Sequence, residues 1–267
     1  MVDKMNEGGQ YKHQFISDIG IRGQITIYVI VGIVIVVGIV ISLYLVGGPR
    51  LLGSTRSSPD IFIQSCAREV VQDSLEKIYR NGGETEISFG MKFNNIEYNY
   101  LCHNWDYYLA CYNLHPLLEK QIENEIREDT RDIIQGCFDE LIEDLEDKGF
   151  KVVVGATSYS VDLLPGSVDI KLKRDLKITK SDSSQTYSEF DLRIIDPIYR
   201  LVKTTERIVN SESSTCRFDR NEYMLFYPDY DIDVINYENN KIYIIRDRLS
   251  GKEFKFAVRT CAIPLGV

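Results

Sequence analysis

The densest group of residues that could do chemistry lies between Cys102 and His115. Cys102, His103, Cys111 and His115 could together supply the four ligands of a tetrahedral zinc site. Cys102 and His103 are adjacent, however, and adjacent residues rarely ligate one metal together. The alternative is a disulfide between Cys102 and Cys111, since a loop of nine positions costs little entropy to close. We expect the disulfide and no metal.

Two groups of carboxylates could bind a cation. Asp229, Asp231 and Asp233 alternate as at the start of a calcium loop, but the glycine and glutamate required at its sixth and twelfth positions are missing. Alternation on the wet face of a strand explains the three aspartates equally well. The acids between Glu119 and Asp147 fall on the polar face of a predicted helix, where a solvated surface is the simpler explanation.

No familiar catalytic motif is present. The sequence lacks a phosphate-cradling glycine loop, a nucleophile elbow, a zinc-protease helix and a C-x-x-C pair, and it contains three histidines. We therefore assign no catalytic, cofactor-binding or metal-binding residues, and we expect a protein that is not an enzyme and needs no cofactor. The net charge of −9 argues against binding nucleic acid by phosphate neutralisation.

An uncharged run from Ile25 to Val46 predicts a membrane anchor. Its 22 residues are long enough as a helix to span the hydrocarbon core. We expect a cytoplasmic segment over 1–23, a transmembrane helix over 24–46 and a linker over 47–57. A cleaved secretory signal is the alternative, but its apolar core would be shorter.

Six cysteines all follow the apolar run and none precedes it. An even set confined to one side indicates an oxidising compartment, so we expect the region after residue 57 to lie outside the cytoplasm, at the cell membrane. The alternative is a cytosolic domain with reduced cysteines. The expected bridges are Cys66–Cys137 between two helices, Cys102–Cys111 across a short loop, and Cys216–Cys261 securing the last strand.

The remaining pattern predicts an α+β domain. Ser58-Pro59 predicts a helix start, and Pro116 to Lys148 carries a long apolar stripe that includes Ile133. Residues 58–150 are therefore expected to be helix-rich, with a hairpin turn at Asn94-Asn95. Residues 151–267 alternate mostly with period two, with a helix predicted from Pro197 to Asn210 and a strand over Glu222–Tyr227. We expect antiparallel sheets, because the helices are grouped.

Arg22-Gly23-Gln24, followed by a run of Ile, Val and Gly, resembles the class III signal peptide of archaeal type IV pilin-like proteins. The resemblance implies processing between Gly23 and Gln24. Tyr28 stands where those proteins carry an acid, and Gly47-Gly48-Pro49 interrupts the helix that would build a filament. The wider pattern is similar to single-pass envelope proteins of archaea.

These observations favour a membrane-anchored, extracytoplasmic protein that acts by contact with other proteins of the cell envelope. We expect an integral single-pass membrane association, a protein partner or self-association, and no nucleic acid. Two alternatives stay open: a pilin-like filament subunit processed after Gly23, and an ectoenzyme or ligand-binding receptor domain.

Overall fold

The computed structural model describes residues 30–38, 58–106 and 108–261. The chain divides into two compact units, Met1–Arg56 and Ser57–Val267. Within the first unit residues 30–38 are helical and their side chains are exposed. The rest of the expected span over 24–46, the cytoplasmic segment and the linker lie outside the described residues. In the part of the chain that is described, no helix combines the length and apolar character needed to cross a membrane.

The second unit is an α+β domain. Its elements in chain order are α1 (Pro59–Arg80), β1 (Gly90–Phe93), β2 (Ile96–His103), β3 (Tyr112–Asn113), α2 (Leu118–Asp147), β4 (Lys151–Leu164), β5 (Ser167–Lys180), β6 (Ser183–Glu189), β7 (Leu192–Ile195), α3 (Ile198–Thr215), α4 (Arg220–Phe226), β8 (Tyr230–Tyr237), β9 (Asn240–Asp247) and β10 (Glu253–Arg259).

The two long helices pack against each other as the sequence predicts. Helix α1 begins after Ser58 with Pro59 in its first turn, although the Ser58 hydroxyl makes no capping bond. Its buried stripe faces α2, and the ammonium of Lys77 lies 2.8 Å from the carboxylate of Asp129 across the pair. The chain then turns at Gly83, which adopts a positive φ and lies against Leu118 at the start of α2. A side chain at Gly83 would collide with Leu118.

The first sheet has the order β1-β2-β10-β9-β8, with β3 added beside β2. The β1–β2 hairpin turns at Asn94 and Asn95, which both adopt positive φ as the predicted turn requires. The expectation of purely antiparallel sheets is wrong here, because β2 and β10 pair in parallel. A parallel pair joins segments that are far apart in sequence, so no local turn motif predicts it.

The second sheet has the order β4-β5-β6, with β7 on the remaining part of β5. Alternate residues of β5 face inward, helix α2 packs against β4, and helix α3 contacts strands of both sheets. Most of the buried apolar residues of the two sheets and of helices α1, α2 and α3 form one contiguous core, and a second, smaller cluster on the first sheet contains Tyr98, Tyr100, Ile242 and Ala257. The helix-rich and β-rich parts thus fold as a single unit.

Helix α3 continues past its predicted end at Asn210 to Thr215, and two further local predictions are wrong. The segment predicted as a strand over Glu222–Tyr227 belongs to the short helix α4, which Asp219 caps by accepting bonds from two backbone N–H groups. Four apolar residues in its last part satisfy either pattern, and the cap decides for the helix. The sequence pattern places Ile133 on the apolar stripe of α2, but Ile133 is exposed and Ile134 is buried instead. The 3.6-residue period shifts the stripe by one position there.

Candidate functional site

Exposed aromatic side chains surround the loop between β2 and β3. Trp105 keeps 67% of its surface accessible and Tyr108 keeps 76%. Tyr112 pairs with His103 in the β2–β3 ladder, and Phe89 lies with its ring centroid 6.0 Å from that of Trp105. We call this group the aromatic surface: Phe89, Trp105, Tyr108, Leu109 and Tyr112. Contiguous patches of exposed apolar side chains mark interaction sites, whereas single exposed apolar residues are common on protein surfaces.

The backbone beneath the aromatic surface is held at several points. The Cys102–Cys111 disulfide closes the loop with Cα atoms 5.4 Å apart, and both residues are buried. The Asn104 backbone N–H donates to the Arg259 carbonyl at 2.9 Å, and its side-chain amide donates to the Leu109 carbonyl at 2.9 Å. A loop fixed in this way presents its aromatic side chains with little ordering cost on binding.

His103 lies under the aromatic surface and is only 4% exposed. Its ring centroid is 4.8 Å from Tyr100, 5.0 Å from Phe89 and 4.5 Å from Trp105. Burial lowers the pKa of the His103 imidazole, and the positive charge of Arg259 lowers the same pKa further. The imidazole is therefore neutral at neutral pH and acts as part of the apolar support.

His115, the other histidine in the described part of the chain, belongs to a structural network. The carboxylate of Glu84 accepts bonds from the backbone N–H and the hydroxyl of Ser88, and it lies 3.8 Å from His115 Nε2. His115 Nδ1 contacts Gln121 Oε1 at 2.5 Å. Because the Ser88 hydroxyl bonds to the carboxylate and not to the imidazole, the group is not arranged as a nucleophile and its base.

The structure joins the three cysteine pairs that the sequence predicts. The Cα atoms are 6.3 Å apart for Cys66–Cys137, 5.4 Å for Cys102–Cys111 and 5.6 Å for Cys216–Cys261, within the range of disulfides. These bridges connect α1 to α2, close the aromatic loop and link the end of α3 to the segment after β10. Gly23 and Gln24, the expected processing site, lie outside the described residues.

Neither cation hypothesis gains support from the described residues. The disulfide uses the two sulfurs of the hypothetical zinc set. Within residues 30–38, 58–106 and 108–261, no three His, Cys, Asp or Glu side chains lie together as the ligands of a metal ion would. Asp231 lies on β8 and pairs with Arg246 at 3.1 Å, so it contributes to a strand surface instead of a calcium loop. The acids of α2 from Asp139 to Asp147 are exposed as expected, whereas Glu123 is buried and accepts a hydrogen bond from the backbone N–H of Leu163.

The aromatic residues were missed as a site by sequence reasoning. Their signal is the stretch Trp105 to Leu109, in which every residue except Asp106 is aromatic or apolar, without helical or strand periodicity, inside a short loop between two cysteines. Such residues cannot all be buried, because a loop of that length has no second face against which to pack.

No protein family, no curated protein and no solved structure matches this chain.

Proposed function

We propose that this protein is a membrane-anchored, extracytoplasmic interaction domain of the cell envelope and that it binds a protein partner through the aromatic surface. The observation that carries the proposal is the exposure of Trp105 and Tyr108 on a disulfide-closed loop and of Tyr112 on the adjoining strand β3. Tryptophan and tyrosine are the residues that most often contribute most of the binding energy at protein interfaces.

The extracytoplasmic location is supported by the bridges. Three disulfides in one domain persist in an oxidising compartment and are rare where glutathione and thioredoxin keep thiols reduced. All six cysteines lie after the apolar run, so all of them can lie on the same, oxidising side of the membrane. The anchor is supported by the uncharged sequence from Ile25 to Val46.

A protein is a better occupant of the aromatic surface than an anionic lipid headgroup. The segment from His103 to Tyr112 contains no lysine or arginine, and it carries the exposed carboxylate of Asp106 beside Trp105. Surfaces that bind the headgroups of anionic lipids use clusters of basic residues instead. A rim acid beside an aromatic centre is the usual arrangement of a protein interface.

Site-specific photo-crosslinking in living cells tests the proposal. A photoreactive amino acid replaces Tyr108 in the full-length chain, and the matched control replaces Leu225, which is 78% exposed on α4. We expect irradiation to give a discrete protein adduct from position 108 and none from position 225. Adding Trp105→Ala to the first variant should reduce the adduct, because truncating a central aromatic costs about 2 kcal/mol or more of binding energy.

Three results would count against the aromatic surface as the binding site. These are no adduct from position 108, an equal adduct from both positions, or an adduct that Trp105→Ala leaves unchanged. An adduct with lipid alone would instead identify the bilayer as the binding partner of the aromatic surface.

A further inference from the structure

The last strand of the domain ends beside the loop that carries the aromatic surface. Strand β10 runs parallel to β2, and Arg259 at its end pairs with His103 at the end of β2. The backbone N–H of Asn104 then donates to the Arg259 carbonyl at 2.9 Å. The chain therefore leaves β10 next to the point at which the loop of Trp105 begins.

Two bonds fix the chain just after β10. The hydroxyl of the buried Thr260 donates to the Glu212 carbonyl, in the last turn of α3, at 3.1 Å. The next residue, Cys261, is bridged to Cys216 at the end of the same helix. The residues that follow Cys261 therefore extend from a fixed point.

The six residues after Cys261 are all apolar. Residues 262–267 lie outside the described part of the chain, and they read AIPLGV. We call them the tail. None of their side chains carries a charge or a hydrogen-bonding group, so a surface that binds the tail must itself be apolar.

The tail is long enough to reach the aromatic surface. The path from Cys261 back to Arg259, across to His103 and on to Trp105 measures at most about 19 Å, because each strand end contributes two residues and neighbouring strands are about 5 Å apart. Six extended residues span about 20 Å. The tail can therefore lie across Trp105 without any movement of the folded domain.

The chemistry of the tail matches that of the aromatic surface. Trp105 and Tyr108 are 67% and 76% exposed, and the exposed charge beside them is the carboxylate of Asp106, which an uncharged segment does not repel. Pro264 favours the extended conformation in which short peptides dock on aromatic side chains. A tethered segment is present at an effective concentration in the millimolar range, so weak apolar contacts are enough to hold it.

We propose that the tail docks on the aromatic surface of its own chain and shields it from other proteins. The side chains of Ile263 and Leu265 pack against the rings of Trp105 and Tyr108. A partner has to displace the tail, so the tail lowers the apparent affinity by the fraction of chains whose surface is free. The docking follows from the geometry of the chain, whereas the competition with a partner rests on the proposed function.

Photo-crosslinking within the purified full-length chain tests the docking. An apolar photoreactive amino acid replaces Leu265, and the matched control replaces Leu249, which is 77% exposed in the turn at the opposite end of β10. Mass spectrometry of the digested monomer locates each crosslink. We expect position 265 to crosslink to the loop between Cys102 and Cys111 and position 249 not to.

A substitution within the tail shows whether apolar contact produces that crosslink. Adding Ile263→Asp to the position 265 variant should reduce the crosslink to the loop about tenfold, because burial of an isoleucine side chain contributes free energy of that order. A crosslink that Ile263→Asp leaves unchanged, a crosslink to another part of the chain or to a second copy, or no crosslink would overturn the proposal.

The crosslink from position 108 in living cells separates the docking from the proposed function. In a chain that carries Ile263→Asp and Leu265→Asp, the partner adduct should rise about two- to fivefold, because more of the surface is free. Leu249→Asp should leave the adduct unchanged. A partner adduct that the tail substitutions do not raise would contradict the shielding. A crosslink from position 265 to the loop without any partner adduct would support the docking and contradict only the proposed function.

Discussion

The imidazole of His103 and the indole of Trp105 lie with ring centroids 4.5 Å apart, although the histidine is buried and the tryptophan is exposed. The pair joins the interior of the first sheet to the aromatic surface. Trp105 is the single tryptophan of the chain, so its fluorescence reports this contact without interference from other indoles.

We expect the fluorescence of Trp105 to fall on acidification, with a midpoint below the ordinary histidine value of about 6.5. Burial lowers the pKa of His103, and a protonated imidazole in contact with indole quenches its emission. Because the neutral form is favoured in the folded state, the stability that this group contributes is complete above about pH 6.5. It declines as the pH falls toward the lowered folded pKa. His103→Gln should remove the transition, and a midpoint above about 6.5 would contradict the buried environment.

The disulfide between the two long helices and the disulfide of the loop should have separable effects. Replacing Cys102 and Cys111 by serine should cost about 2–3 kcal/mol in the chain-entropy account and should also weaken the crosslink from position 108, because the loop loses its clamp. Replacing Cys66 and Cys137 should cost more, about 4 kcal/mol, and should leave the crosslink in place. Chemical denaturation and photo-crosslinking of the same variants provide both measurements. Equal loss of the crosslink in both would show that it reports only global stability.

The ion pair of Glu212 and Lys241 secures the end of α3 to β9. The Glu212 carboxylate is fully buried, lies 2.8 Å from the Lys241 ammonium and also accepts a hydrogen bond from the Tyr243 hydroxyl. Lys241→Met leaves that carboxylate without its cation, so we expect a loss of about 3–5 kcal/mol in the free energy of unfolding. Urea denaturation measures it.

The matched control for that substitution is the exposed pair of Glu76 and Lys252. Glu76→Gln should change the free energy of unfolding by about 0–1 kcal/mol, because solvent screens exposed pairs. Similar losses in the free energy of unfolding from Lys241→Met and Glu76→Gln would contradict the conclusion that the buried ion pair matters more for stability than the exposed one.

Much of the fold followed from local patterns. Proline and glycine positions bounded α1 and α2, Asn94-Asn95 fixed the hairpin, and the three cysteine pairs were predicted from the elements on which they lie. The parallel pairing of β2 with β10 could not be predicted, because it depends on the packing of segments with no shared turn. The burial of Arg174 could have been predicted, since it interrupts an otherwise apolar alternation from Ile170 to Ile178. The stacking of its guanidinium on the Phe138 ring of α2 depends on tertiary structure, which one sequence does not contain.

The intact mass of the mature chain tests whether its N-terminus is processed. We expect the apolar run to be retained as an anchor, because Tyr28 and the Gly47-Gly48-Pro49 break depart from the filament pattern. The intact mass of the chain purified from membranes should therefore match a chain that starts before Gln24. A mass that starts at Gln24, together with surface filaments built of this chain, would favour the pilin-like alternative.

Labelling with a membrane-impermeant maleimide on intact cells tests the central claim, an oxidised domain outside the cytoplasm, most directly. The probe is Ser184→Cys on the exposed strand β6, in a chain whose six native cysteines are paired. We predict that the variant takes up one label on intact cells while the unsubstituted chain takes up none, even after lysis in denaturant without reductant. Protection of the introduced thiol until lysis, or labelling of the native cysteines without reduction, would contradict the claim.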